Sequence, residues 1–351
     1  MRVLVALSGG VDSSMTAALL VEAGYDVTGV HLKMADTPSG LPGHGCCTLD
    51  DARDARRVAD ALGIPFYVWD LSEPFQERVV DDFVAEYAAG RTPNPCIRCN
   101  ERVKYTALLT RARAVGFEAL ATGHHVRLRR DPSSGRVRLL RAADPGKDQT
   151  YVLYMAGQEQ LAHTLWPAGE HHKHELRAMA EQRGLVTASK PDSNDICFVP
   201  DGDVGGFLAE QLGARPGRIV GPDGEDLGRH QGSYRFTIGQ RRGLGLAGRD
   251  EPLYVTGIDG STVHVGPRRM LATTSLEAHG AAWVAGEPPA DDATLTAQVR
   301  YRGQPLPCAV DDLGRGRIRV DFTDEPPVGV APGQAVAIYR GEECLGGATI
   351  R

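Results

Sequence analysis

The chain has 351 residues, 42% of them hydrophobic and 24% charged, which is too much sequence for one small core and calls for two or three domains. Its formal net charge of −6 excludes a protein that coats nucleic acid indiscriminately, while leaving room for a local basic face. No apolar run of about eighteen residues occurs, so no membrane span and no membrane partner are expected.

Residues 1–7 form a short apolar run without a small-residue cleavage site, so they read as a buried first strand rather than a signal peptide. A cytoplasmic, reducing location follows, and the seven cysteines are too sparse and irregular for a disulfide scaffold. Apolar runs at 2–7, 27–32, 65–69 and 119–123 look like strands buried on both faces. Helical patterns at 13–23, 49–62, 73–89 and 100–115 lie between them, the second opening with a capping-box-like Thr48-Leu49-Asp50-Asp51. This alternation predicts an α/β domain with a Rossmann-like, mostly parallel sheet and right-handed crossovers.

An arginine-rich hairpin follows at 126–142, with one apolar and one basic face. Helical periodicity returns at 158–163 and 173–184. From about residue 200 the chain turns glycine- and proline-rich, with short strands predicted at 234–238, 252–258 and 262–265. Beyond Pro267-Arg268-Arg269, period-two runs at 294–301, 307–313, 317–322, 334–339 and 343–350 predict an antiparallel β-barrel. The expected division is therefore a catalytic domain at 1–199, a small mostly-β central domain at 200–269 and a C-terminal barrel at 270–351.

The first strand runs into Ser8-Gly9-Gly10-Val11-Asp12-Ser13-Ser14 at a strand–helix junction. Glycines there turn backbone N–H groups toward an anion and the helix N-terminus adds its dipole, which together cradle phosphate. The spacing fits neither the lysine-ending P-loop nor the dinucleotide fingerprint. Pro93-Asn94-Pro95-Cys96-Ile97-Arg98-Cys99-Asn100 places a C-x-x-C before a helix expected to begin near Asn100. A thiol at that helix start, beside Arg98, Arg102 and Lys104, should have a lowered pKa. Half of a zinc site is the alternative, but no second C-x-x-C follows. Cys197, in Asp192-Ser193-Asn194-Asp195-Ile196-Cys197-Phe198, reads by itself equally well as an exposed thiol or a core residue.

The string from Ser8 to Ser13 resembles the loop of the PP-loop ATP pyrophosphatases, which cleave ATP to AMP and pyrophosphate. The resemblance implies that Ala6, Leu7, Ser8, Gly9, Gly10, Val11, Asp12, Ser13 and Ser14 hold ATP and its Mg2+. It adds Leu32 at the adenine and Gly123 of Thr122-Gly123-His124 at the nucleotide. That loop, Asn94-Pro95-Cys96-x-x-Cys99-Asn100, Thr122-Gly123-His124, Lys147-Asp148-Gln149-Thr150-Tyr151 and the Asp192–Phe198 stretch stand in the order seen in the tRNA-specific 2-thiouridylases. These enzymes thiolate the wobble uridine of certain tRNAs, and the resemblance runs through Arg300-Tyr301 and Pro332-Gly333-Gln334 in the barrel.

The resemblance implies that Cys99 is the catalytic thiol and Cys197 the persulfide-bearing one. Asn94, Pro95 and Cys96 would touch the target base. Lys147, Asp148, Gln149, Arg300 and Tyr301 would contact tRNA, with His124 and Gln334 flanking. It further implies that the wobble uridine is adenylated at its C2 oxygen and that sulfur replaces AMP. A persulfide donor outside this chain supplies the sulfur, and a cellular thiol reductant resets a Cys99–Cys197 disulfide. Many family members have Asp where this chain has Cys96, so a [4Fe–4S] cluster on Cys96, Cys99 and Cys197 stays open as an alternative. An amidotransferase-type ligase would share the loop without using the cysteines, and a non-catalytic RNA-binding protein would not need the loop. Glu170, His171, His172 and His174 read as a solvated helix start rather than a metal site. Cys46-Cys47 is read as lying near the nucleotide, and Arg241-Arg242 and Arg268-Arg269 as solvated pairs or phosphate contacts.

Overall fold

The computed structural model describes residues 1–34, 49–192, 196–199, 201–246, 251–289 and 294–351. Thr48, Cys46, Cys47 and residues Ser193, Asn194 and Asp195 therefore lie outside the described residues. The chain opens with β1 (Arg2–Ala6), α1 (Val11–Glu22), β2 (Asp26–Lys33), α2 (Leu49–Leu62) and β3 (Phe66–Asp70). Two long helices follow, α3 (72–88) and α4 (95–114), then β4 (Ala119–Ala121), the hairpin β5 (Val126–Arg130) and β6 (Val137–Arg141), α5 (Gln158–Ala162), β7 (Thr164–Leu165) and α6 (Lys173–Gln182).

Strands β3-β2-β1-β4-β7 lie side by side in that order, all parallel. Alternate residues of β1 feed two apolar layers, as a sheet covered on both faces requires. Val3 and Val5 pack with Ala17, Leu20, Ala55 and Ala59, while Leu4 packs with Val30, Leu108 and Leu120 on the other side. The order changes direction at β1 and β4, and the crevice beyond their carboxyl ends is where open α/β sheets bind ligands.

Two helices carry inserted wide turns, π-helical over Gln76–Val80 in α3 and Cys99–Leu108 in α4, a local expansion that often marks functional sites. The start of α4 corrects the sequence reading: it begins at Pro95 rather than near Asn100. Asn94 is its N-cap, with Oδ1 accepting from the Cys96 N–H at 3.0 Å, and Pro95 occupies the first turn. A proline at that position loses no hydrogen bond and is preset for the helix, so the proline-rich string starts the helix instead of delaying it.

The central part holds α7 (Val204–Leu212), β8 (Gly217–Val220), β9 (Asp226–His230), β10 (Tyr254–Asp259) and β11 (Thr262–Gly266), in the sheet order β10-β11-β8-β9. The strand expected at 234–238 is instead a short turn, Ser233–Arg235, from which the buried Tyr234 hydroxyl donates to the Gly213 carbonyl at 2.8 Å. Strands β12 (Ser275–Trp283), β13 (Leu295–Gln298), β14 (Leu306–Gly314), β15 (Arg317–Phe322), β16 (Ala335–Arg340) and β17 (Glu343–Ile350) form a six-stranded antiparallel barrel, closed because β12 pairs with both β15 and β17. Sequence periodicity missed β12, whose register shifts between His279 and Ala282, so its alternation is broken midway.

The β5–β6 hairpin does not join the parallel sheet. Its β6 pairs with β17, Leu139 opposite Cys344 and Leu140 opposite Glu343. The basic face of the hairpin is largely matched by acids: Arg127 with Glu342 at 3.1 Å, Arg136 with Glu287 at 2.8 Å and Arg138 with Glu343 at 2.7 Å. Those arginines seal the hairpin to the barrel.

Candidate active site

Beyond β1 and β4 lies a cavity of about 320 Å³, within the range of small-ligand sites. Ala6, Leu7, Ser8, Gly10, Val11, Asp12 and Ser13 line one side, joined by Leu32 and Gly123. Gly9 turns the chain with φ +77°, and a Cβ there would lie 2.4 Å from the Asp51 carbonyl oxygen, so only glycine lets α2 approach the loop. Gly10 caps α1 without a side-chain hydrogen bond. The serine hydroxyls brace the loop from inside: Ser13 and Ser14 donate to the Gly10 carbonyl at 3.1 and 2.8 Å, and the Ser8 N–H donates to Ser13 Oγ at 3.1 Å. That leaves first-turn N–H groups and the helix dipole as the anion-attracting features.

Gly123 packs directly onto this turn, where a Cβ would meet the Ser13 nitrogen at 2.6 Å. The residues beside it are fixed by a buried network. Trp166 Nε1 donates to both Tyr105 Oη and Thr122 Oγ1 at 2.9 Å, and Thr122 Oγ1 lies 2.7 Å from His124 Nδ1. Burial, with Lys104 and His125 nearby, holds the His124 pKa well below the ordinary imidazole value. His124 is thus a neutral group in the cavity wall, with Nδ1 engaged internally.

Charge gathers around Asp12. Lys173 Nζ donates to both of its carboxylate oxygens at 2.7 Å, and His125 Nε2 lies 3.0 Å from Oδ1. Burial alone would raise the Asp12 pKa; His125 and Lys173 outweigh it, and the carboxyl stays below its usual range. The same Lys173 ammonium, 9% exposed as a residue, lies 2.9 Å from Asp192, which also meets Lys147 and Arg177 at 2.7 Å each. Burial works against the Asp192 charge too, but Lys147 and Lys173 hold its pKa far below the normal carboxylate value. Lys173, His125 and Arg177 were not singled out from the sequence. The separation of 161 positions between Asp12 and Lys173 hides the pairing, although a lysine at the start of α6, where the helix dipole disfavours a cation, was a weak signal.

The remaining expected residues divide by position. Lys147, Gln149 and His124 line the cavity, and so do Tyr301 and Arg302 from the barrel. Asp148 faces inward, accepting from Arg141 at 2.6 Å and from the Thr150 hydroxyl at 2.8 Å. Gln334 Nε2 donates to the Thr92 carbonyl at 2.7 Å, and the Thr92 N–H donates to the Pro332 carbonyl at 2.7 Å. The barrel therefore braces the turn that leads into Asn94, Pro95 and Cys96. Arg300 is exposed and donates to the Val328 carbonyl.

The three thiols differ in exposure. Cys96 is exposed in the first turn of α4, while Cys99 is buried one turn further in. Arg98 and Arg102 are engaged with acids, at 3.1 Å from Glu101 and 2.9 Å from Asp82 respectively. Because α4 begins at Pro95, Cys99 stands one turn inside the helix rather than at its N-terminus. Cys197 is half-buried and packs against the apolar cluster that contains Cys99, anchored by Phe198 between Phe75, Phe83 and Phe207. Lys104 from the helix of Cys99 and Asp192 reach the cavity. Among the described residues no group of three His, Cys, Asp or Glu could hold a metal ion, so Cys96, Cys99 and Cys197 do not form the three-thiolate set that a cluster needs. The 170–174 stretch forms none either; its Glu170 pairs with Arg129.

The sheet, the glycine turn and the cavity define a nucleotide-binding α/β protein with two β modules attached. Family models match accordingly: a tRNA methyl transferase HUP domain over residues 1–201, a tRNA methyl transferase PRC-barrel domain over 205–267 and an aminomethyltransferase β-barrel domain over 273–350. Curated relatives called tRNA-specific 2-thiouridylase MnmA are similar across the whole chain. The one from Thermobifida fusca is 50% identical and covered over 95% of its length; the one from Kineococcus radiotolerans is 53% identical and covered over 98%. This chain belongs to the tRNA-specific 2-thiouridylase family. No described helix is long and apolar enough to cross a membrane.

Proposed function

We propose that this protein uses ATP to adenylate the C2 oxygen of the wobble uridine of tRNA and then replaces that oxygen with sulfur, releasing AMP and pyrophosphate. The observation that carries the reading is one cavity in which the Ser8–Ser13 turn meets Lys104 from the helix that bears Cys99, with Cys99 and Cys197 in one apolar cluster nearby. First-turn N–H groups of α1 bind the phosphates, and Leu32 borders the base. Asp12 is the carboxylate suited to Mg2+, an oxygen ligand set by chemistry, and that ion would offset charge developing on the phosphates. Adenylation makes the uridine oxygen a leaving group. Cys197 receives sulfur as a persulfide from an external donor. Either the persulfide's outer sulfur attacks C2 and Cys99 then attacks Cys197 Sγ to release the thiolated base, or Cys99 attacks Cys197 Sγ first and the freed sulfide attacks C2. In both routes AMP leaves, a Cys99–Cys197 disulfide forms and a thiol reductant restores it.

The domain reading also stands as ours: catalysis at 1–199, a central module at 200–269 and a tRNA-gripping barrel at 270–351. The family model over the first part carries a methyl transferase name, but a phosphate-binding turn and a pair of cysteines in a neighbouring apolar cluster serve adenylation and sulfur transfer, not methyl transfer. The test is nucleoside analysis of tRNA incubated with the protein, ATP, Mg2+ and a persulfide donor. 2-Thiouridine with stoichiometric AMP is expected; ATP turnover indifferent to tRNA would sink the reading.

The wobble base leaves its stack to enter the cavity, and Tyr301 and Arg302 stand at its edge. Arg300→Ala should weaken tRNA binding without changing ATP binding, and should lower the salt dependence of tRNA affinity by roughly one unit of slope. Filter binding across a salt series checks this; an unchanged affinity and slope would leave Arg300 with only its contact to Val328.

A further inference from the structure

We propose that Arg141 is a positioning residue for adenylation. It holds the barrel turn that carries Tyr301 and Arg302 in register with the loop that carries Lys147 and Gln149, so that tRNA gripped by the barrel presents its base to the nucleotide. This role rests on the function proposed above. All four of those residues line the cavity, two from the first domain and two from the barrel. Two bodies that together hold one base against one nucleotide need a fixed spacing, because small displacements of reacting groups are costly.

Arg141 ends β6 and makes three contacts with one guanidinium. Nη1 donates to Asp148 Oδ2 at 2.6 Å, Nη2 donates to Gln298 Oε1 at 3.3 Å, and Cζ lies 3.9 Å from the centroid of the Tyr339 ring. On the loop side, Asp148 also accepts from the Ala142 N–H at 3.1 Å and from the Thr150 hydroxyl at 2.8 Å. Its neighbour Gln149 is bound to His125 in both directions: the His125 N–H donates to Gln149 Oε1 at 2.8 Å, and the Gln149 N–H donates to the His125 carbonyl at 3.0 Å. His125 Nε2 in turn lies 3.0 Å from Asp12 in the phosphate turn. On the barrel side, the buried Gln298 ends β13, and its Nε2 donates to the carbonyls of Arg300 at 3.0 Å and Tyr301 at 2.9 Å. Every link from the phosphate turn to the barrel turn is thus a covalent bond, a hydrogen bond or an ion pair, and the two halves meet at Arg141. A lysine would keep the charge beside Asp148, but an ammonium cannot hold two acceptors in a fixed plane and lie flat on an aromatic ring. Arg141→Lys therefore separates a plain ion pair from a positioning role.

The test follows tRNA-dependent pyrophosphate release across tRNA concentrations for the full-length wild type, Arg141→Lys, Gln298→Met and the double variant. Arg141→Lys should lower kcat about tenfold or more while the KM for tRNA stays within about twofold of wild type. ATP affinity and stoichiometry by calorimetry should be unchanged, which shows that the loss is not a misfolded fraction. Gln298→Met keeps the length of the side chain and removes its hydrogen bonds, and should have the same effect. The double variant should be no worse than the poorer single one, since both break one chain. A wild-type kcat in Arg141→Lys overturns the proposal, and so do effects that multiply in the double variant. A KM for tRNA raised well beyond twofold also overturns it, because Arg141 would then be serving RNA binding. Should Gln298→Met fail to fold, the split between kcat and KM in Arg141→Lys decides alone. A wild type that releases no pyrophosphate with tRNA sinks the functional reading, and the positioning role with it.

Discussion

Asp12→Asn should lower tRNA-dependent pyrophosphate release by about 10²–10³-fold, the usual loss when one preorganised charge is removed from a reacting centre. The substitution keeps the side chain's size and one acceptor oxygen, so the Ser8–Ser13 turn keeps its internal bonds, which run among Ser8, Gly10, Ser13 and Ser14. What disappears is a carboxylate held ionised by His125 and Lys173 despite its burial. Lys173 stays paired with Asp192 at 2.9 Å, so no buried charge is abandoned and the variant should fold. A malachite-green assay with pyrophosphatase, using variant protein with a native circular dichroism spectrum, makes the measurement. Release within about twofold of wild type would remove Asp12 from the reaction and, with it, the assignment of the turn as a pyrophosphate site.

Cys99→Ser and Cys197→Ser should each abolish 2-thiouridine formation, yet both should still release pyrophosphate in the presence of tRNA, since adenylation precedes sulfur transfer. Cys96→Asp should keep substantial thiolation. The structure sharpens the contrast, because Cys96 is exposed at the start of α4 whereas Cys99 is buried and shares an apolar neighbourhood with Cys197. A buried thiol that must react needs a rearrangement on tRNA binding, so alkylation of Cys99 should be slow in the protein alone and faster with tRNA. The deciding experiment assays the three variants in strictly metal-free, anaerobic conditions with a persulfide donor. If Cys96→Asp is inactive and wild type recovers only after iron–sulfur reconstitution, the persulfide role of Cys197 falls.

The linear sequence determined the elements whose signal is local. Buried β1, β2 and β4, the glycine turn after β1 and the helix at Leu49–Leu62 follow from apolar runs and from residues whose backbone preferences act over a few positions. The turn was legible because Gly9, Gly10 and Asp12 sit within four residues. The start of α4 was local too, and was misread only because Asn94-Pro95 was taken as a loop rather than as a cap with proline in the first turn. Tertiary structure decided what depends on long-range meeting. The sequence showed the basic hairpin at β5–β6 but not its partners: its hydrogen-bonding edge is completed by β17 and its arginines by Glu287, Glu342 and Glu343. Gln334, read as a tRNA neighbour, braces the Thr92 turn. The Asp12–Lys173–Asp192 bridge rests on a contact between residues 161 positions apart, Asp12 and Lys173. Periodicity reports which face of an element is apolar; it carries no information about which distant charge will be desolvated beside it, and burial makes that pairing obligatory.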